Sequence, residues 1–159
     1  MIVAMRTAFA SVAFLALLVA VPAAQSPDAR ARGLVDGPKF KQATAFIQSD
    51  HDRFVRELIA LTEIPAPPFK EAARAKAYLE MLRASGLTDV EQDEEGNVMG
   101  LRRGSCGGPL IAVAAHLDTV FPEGTDVKVK REEMRLSAPG IGDDTRSLAV
   151  LLAMIRAMN

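Results

Sequence analysis

Internal disulfide bonds cannot stabilise this protein, because its 159 residues include a single cysteine, Cys106. The sequence also lacks an excess charge of either sign, since 19 lysine and arginine residues are balanced by 20 aspartate and glutamate residues. A nearly neutral chain gives no reason to expect nucleic acid or an anionic membrane as a partner. We therefore expect the stability of the fold to come from a hydrophobic core or a bound metal.

The first 24 residues have the composition of a secretory signal peptide. Arg6 is their only charged residue, the apolar stretch TAFASVAFLALLVA follows it, and Ala23 and Ala24 are small residues suited to cleavage. We predict export to the periplasm or the exterior, with no stable membrane association after cleavage. An uncleaved anchor is the alternative, because the uncharged stretch is at the lower length limit for a membrane span.

Helical patterns dominate the next part of the chain. Residues 25–37 are polar and predict a loose linker. A one-face apolar pattern then predicts a helix from Pro38 that ends at the prolines of IPAPPF. A second helix is predicted over residues 70–85, with Gly86 as its C-terminal cap.

Shorter elements follow and complete an α/β order. The predicted elements are a hairpin in TDVEQDEEGNVMGLRR, a strand in PLIAVAAH that is covered on both faces, a hairpin in DVKVKREEMRLS, and a helix in DTRSLAVLLAMIRAMN. Asp144 or Thr145 is expected to cap the last helix. That helix is apolar almost all round, which predicts burial on several sides. Because nothing in the sequence follows Asn159 to bury it, we expect an incomplete domain.

Two short motifs contain candidate catalytic or metal-binding residues. His116 and Asp118 lie two positions apart on the predicted strand, so a histidine ligand and its orienting carboxylate could lie side by side at the strand end. The alternative for His116 is a solvated or hydrogen-bonded histidine. Asp143 and Asp144 are adjacent in a glycine-flanked turn, where a metal ion or a helix cap would explain them. Cys106 is expected in a turn between strands, and His51 on an exposed helix face.

The motifs together resemble the metallopeptidase M20 family of zinc hydrolases, which includes aminoacylases and tripeptidase-like enzymes. The likeness rests on HLDTVFP, on APGIGDD with its first aspartate 27 residues after the histidine, and on the apolar helix that follows. LTEIPAPPF and DEEGNVMG are also similar to the family's N-terminal region. The resemblance implies that residues 38–159 form the N-terminal part of a zinc-peptidase-type catalytic domain, an α/β fold with a mixed sheet flanked by helices.

The resemblance also implies roles for single residues. His116 would bind one of two divalent metal ions, with zinc expected and cobalt or manganese as alternatives. Asp143 would bridge both ions, Asp118 would brace His116 as the catalytic aspartate, and the Asp143–Asp144 peptide bond would be cis. The substrate would be a peptide or an N-acyl amino acid. Residues 145–147, Thr-Arg-Ser, replace the Lys-Gly that is common in the family, so the substrate subgroup stays open.

The family's general-base glutamate, its later metal ligands and its dimerisation domain have no counterpart in these 159 residues. The expected protein is therefore an N-terminal fragment of a two-metal hydrolase, inactive alone, with a homodimer possible only in a full-length parent. The alternative is a non-catalytic remnant that acts as a binding or interaction module. A chymotrypsin-like serine protease is disfavoured, because those enzymes are all-β and this sequence is rich in predicted helices.

Overall fold

A computed structural model describes residues 26–105 and 107–159, so the predicted signal peptide and Cys106 lie outside the described residues. Helices and short antiparallel strands build the fold. The helices are α1 (Pro27–Val35), α2 (Pro38–Ser49), α3 (His51–Thr62), α4 (Ala72–Ala84) and α5 (Arg146–Ala157). The strands are β1 (Thr88–Gln92), β2 (Val98–Leu101), β3 (Lys130–Glu132) and β4 (Arg135–Ser137). Within the described ranges, no helix is long and apolar enough to cross a membrane.

The segment predicted to be a loose linker forms a helix, α1, so that prediction is wrong for its conformation. Pro27 begins the helix, where its fixed φ suits the first turn. The Ser26 Oγ atom accepts a hydrogen bond from the Ala29 N–H at 3.2 Å, which caps the helix start. No residue of α1 is buried. The proline at its start and the Ser26 cap therefore account for this helix better than tertiary packing does.

The single helix predicted from Pro38 is two helices, α2 and α3, with a break at Asp50. The break coincides with a largely buried ion pair, in which the Arg156 Nε atom of α5 donates to Asp50 Oδ2 at 3.1 Å. Arg156 also contacts Glu57 of α3. A one-face apolar pattern does not reveal this contact, because the arginine comes from the other end of the chain.

The hydrophobic core lies among α3, α4 and α5. Its buried members are Leu61, Tyr78, Leu82, Leu148, Leu152 and Ile155. The Tyr78 hydroxyl also donates to the main-chain oxygen of Leu148 at 3.1 Å, so a polar group joins α4 to α5. Val150, on the side of α5 opposite this core, is 45% exposed. The predicted helix is confirmed, and its predicted burial is confirmed except at the exposed residues Arg146 and Val150.

The predicted hairpins are confirmed, but they do not join one sheet. β1 pairs with β2 and β3 pairs with β4, and both pairs are antiparallel. The first hairpin turns at Asp93–Asn97, where Asp93 Oδ1 accepts hydrogen bonds from the N–H groups of Glu95 and Asn97. The fold therefore combines helices and strands as the α/β order predicts, without a mixed sheet in the part of the chain that the structure describes.

The apolar segment PLIAVAAH, predicted to be a strand covered on both faces, pairs with no strand among the described residues. Leu110 is 86% exposed, Ile111 78% and Val113 60%. A strand needs a neighbour for its N–H and C=O groups, and each hairpin here pairs only with itself. The prediction of a covered strand is therefore wrong.

Candidate metal centre

His116 lies between two of the aspartates that the sequence singles out. Its Nε2 atom is 3.0 Å from Asp143 Oδ1. Its Nδ1 atom is 3.1 Å from Asp118 Oδ1 and 3.0 Å from the main-chain oxygen of Asp118. The three predicted site residues thus lie together, although His116 does not end a central strand as expected.

Segment 116–119 is fixed by contacts other than strand pairing. Ala115 and Leu117 pack against the hydrophobic core. The Thr119 N–H donates to the main-chain oxygen of Ala66 at 2.8 Å, and Arg74 Nη1 donates to the main-chain oxygen of Leu117 at 2.7 Å. These contacts attach the site to the loop between α3 and α4 and to α4 itself.

The second half of the site is the turn before α5. Gly140 has a φ of +78°, and its main-chain oxygen accepts a hydrogen bond from Thr145 Oγ1 at 2.9 Å. Thr145 occupies the N-cap position of α5, one of the two predicted positions, but no side chain makes the expected capping hydrogen bond. The Asp143–Asp144 peptide bond is cis, as the resemblance implies.

The two adjacent aspartates have different partners. Asp143 contacts the ring of His116, whereas Asp144 Oδ2 accepts a hydrogen bond from the main-chain N–H of His116 at 3.2 Å. Each carboxylate therefore has a separate task, and Asp144 also ties the turn to the 116–119 segment. Neither aspartate is used as a helix cap.

The carboxylates around His116 favour its protonated form. Desolvation of the ring, the largest single influence, lowers the pKa of His116. The hydrogen bonds to Asp143 and to the Asp118 main-chain oxygen, with the charges of Asp118 and Asp144, act in the opposite direction and raise the pKa above its usual 6.5. The ring is thus surrounded by negative charge that a metal ion would also neutralise.

The donor atoms fit part of a zinc site. Two ligands of one tetrahedral zinc ion lie roughly 3.3 Å apart, because Zn–N and Zn–O bonds are about 2.0–2.1 Å long. The 3.0 Å between His116 Nε2 and Asp143 Oδ1 is close to that spacing, and Asp143 is largely exposed and free to adjust. Asp118 at Nδ1 matches the carboxylate that commonly orients a metal-binding histidine. Residues 26–105 and 107–159 contain no group of three or more histidine, cysteine or acidic side chains that could hold a metal.

Three residues that the sequence does not single out hold the site in place without contributing ligands: Arg74, Thr119 and Gly140. Only Gly140 had a local signal, as part of a Pro-Gly turn. The second histidine, His51, is exposed as expected, and its ring stacks against Phe54 at a centroid distance of 6.4 Å.

Comparison of the chain with models of known protein families finds no match, and comparison with curated proteins finds none either.

Proposed function

We propose that the chain supplies two metal ligands of an M20-like, two-metal hydrolase that cleaves peptide or N-acyl amide bonds. The observation that carries the proposal is the pair of aspartates on opposite nitrogens of one imidazole, Asp143 at Nε2 and Asp118 at Nδ1. An acidic group on each side suits a histidine that is oriented at one nitrogen and binds a cation at the other.

His116, Asp118 and Asp143 have different roles in such a site. With a metal ion bound, Asp118 would keep a proton at Nδ1 of His116, and Nε2 would give up its proton so that its lone pair binds the ion beside Asp143. Asp143 supplies a carboxylate oxygen beside Nε2, and its exposure leaves its second oxygen accessible for another ion. When bound, divalent ions in a site of this class polarise an amide carbonyl and acidify water. Zinc is the expected metal, with cobalt or manganese as alternatives.

The 159-residue chain should bind metal weakly when it is studied alone. Structural and catalytic zinc sites use three or four protein ligands, whereas the described residues bring two ligand side chains together, His116 and Asp143. A weak site stabilises the folded state little by mass action. The proposed function thus concerns these residues within a larger ligand set.

The test is a cobalt(II) titration of the chain, followed by visible absorption, with two site variants and two matched controls. Binding should need a large excess of cobalt and should be lost in His116→Ala and in Asp143→Asn. It should persist in His51→Ala, which removes the other histidine, and in Asp126→Asn, which removes an exposed aspartate elsewhere. Binding that disappears in His51→Ala but survives in His116→Ala would overturn the proposal.

A binding module is the second candidate, and the exposure of Leu110, Ile111 and Val113 favours it. Contiguous exposed apolar residues are uncommon on monomers and often mark contact surfaces. The two candidates depend on different residues. An Ile111→Lys variant should lose binding to the partner that contacts this surface, while its cobalt titration is unchanged. His116→Ala should lose cobalt binding and keep the binding to that partner.

A further inference from the structure

Arg74 is a fully buried arginine in α4, with 0% of its surface exposed. It donates only to main-chain oxygens. Its Nε and Nη2 atoms donate to Ile64 at 3.2 and 2.7 Å, and its Nη1 atom donates to Leu117 at 2.7 Å. One guanidinium group therefore connects α4, the start of the α3–α4 loop and the segment that carries the candidate site.

Burial of a cation is unfavourable unless polar groups compensate for the lost water. Here two carbonyl groups accept all three hydrogen bonds, and Asp118 supplies nearby negative charge. Burial lowers the pKa of Arg74, and the charge of Asp118 opposes that effect. An arginine that served only to anchor the α3–α4 loop would need its contacts with Ile64 alone. The additional contact, 43 residues away along the chain, needs another explanation.

Leu117 is the residue between His116 and Asp118. Its carbonyl group lies in a segment that has no strand pairing, so the backbone there depends on a small number of anchors. We infer that Arg74 is a positioning residue for the candidate site: its guanidinium fixes the backbone between His116 and Asp118 so that both side chains meet. Its relevance to catalysis rests on the proposed function, but the positioning itself does not.

Hydrogen exchange of the unmodified chain gives the first test. The Thr119 N–H, which donates to Ala66, reports whether the segment is attached to the α3–α4 loop. If Arg74 holds this segment in place, Thr119 should exchange at least about tenfold more slowly than the amides of residues 110–113, after correction for intrinsic rates. Equal exchange would overturn the inference without any substitution.

Variants give the second test. Arg74→Met keeps a long apolar side chain but removes every donor, and Arg74→Lys keeps the charge with fewer donors. Leu82→Ala is the control, because Leu82 is a buried core residue of the same helix. Relative to core amides of α3 and α5, Thr119 should exchange about tenfold faster in Arg74→Met and less so in Arg74→Lys. Leu82→Ala should accelerate all these amides together.

The nuclear magnetic resonance spectrum of the metal-free His116 ring separates this inference from the proposed function. A change of the His116 ring signals in Arg74→Met that is absent in Leu82→Ala supports a positioning role for Arg74. This holds even if the unmodified chain binds no cobalt, because that result would count only against the proposed function. Uniform acceleration of exchange in Arg74→Met, with unchanged His116 signals, would reduce Arg74 to a general stabilising residue and overturn the inference.

Discussion

Gly140 packs so closely against Thr119 that a Cβ atom at position 140 would lie 2.6 Å from Thr119 Cγ2. Thr119 is buried and β-branched, so its methyl group has little room to move. Gly140 also has a φ of +78°, a conformation that residues with a side chain rarely adopt. This contact holds the turn of Asp143 against the segment of His116.

A Gly140→Ala substitution should therefore destabilise the fold by about 1–3 kcal/mol and separate Asp143 from His116. Gly142→Ala is the matched control in the same turn, because a Cβ atom there meets nothing within 4 Å. Urea unfolding measures the stability, and the His116 ring signals report the contact. Equal effects of the two substitutions would show that the Gly140–Thr119 contact does not determine the turn.

The negative charge around His116 predicts a specific pH dependence. The folded-state pKa of His116 is raised, so its contribution to stability is fully present below the unfolded-state pKa of about 6.5 and is lost as the pH rises through the folded-state pKa. Asp143→Asn should lower the folded-state pKa, because it removes the charge at Nε2. An imidazole titration in a His51→Gln background, which leaves one histidine signal, measures this. Asp126→Asn should leave the titration unchanged; an unchanged pKa in Asp143→Asn would contradict the contact.

Packing of α5 predicts which of its apolar residues matter. Leu152 is fully buried in the core, so Leu152→Ala should reduce the free energy of unfolding by about 2–5 kcal/mol. Val150 is 45% exposed, and Val150→Ala should have an effect of roughly 0.5 kcal/mol or less. Chemical denaturation of both variants tests the difference. A larger loss in Val150→Ala would mean that the exposed face of α5 is covered in solution.

Catalysis by the 159-residue chain alone is not expected. His116 and Asp143 are two ligands, and a two-metal site needs several ligands and a base that activates water. Assays with zinc or cobalt against dipeptides and N-acyl amino acids should give no turnover above the level of His116→Ala. Metal-dependent turnover that His116→Ala abolishes would show that the described residues are sufficient for activity.

Local patterns in the sequence predict the elements whose structure depends on nearby residues. The apolar spacing of α4 and α5 and the Gly96 turn of the first hairpin are of this kind, and all three are present. The strand predicted for PLIAVAAH depended on a partner strand, which an apolar run cannot specify. Its open conformation therefore could not be predicted from the run itself.

The residues that position the site were harder to identify for the same reason. The sequence around Arg74 is typical of a surface arginine on a helix. Its burial cannot be predicted locally, because it depends on the carbonyl groups of Ile64 and Leu117 in other segments. The contact of Gly140 with Thr119 is equally invisible in the sequence, although the Pro139-Gly140 pair predicts a turn. The proximity of His116, Asp118 and Asp143 was predicted because the motif spacing resembles a known family. Their metal-binding role stays a prediction.

Zinc titration of the chain with ¹⁵N-labelled histidine observes both nitrogens of His116 separately, so it tests directly whether His116 and Asp143 form a metal-ligand pair. Zinc should shift the Nε2 signal of His116, Nδ1 should stay protonated beside Asp118, and His51→Gln should leave this response intact. Asp143→Asn should abolish the shift at the same zinc concentration, and Asp126→Asn should not. A His116 signal that does not respond to excess zinc, or a response that Asp143→Asn leaves unchanged, would contradict the claim that His116 and Asp143 form a metal-ligand pair.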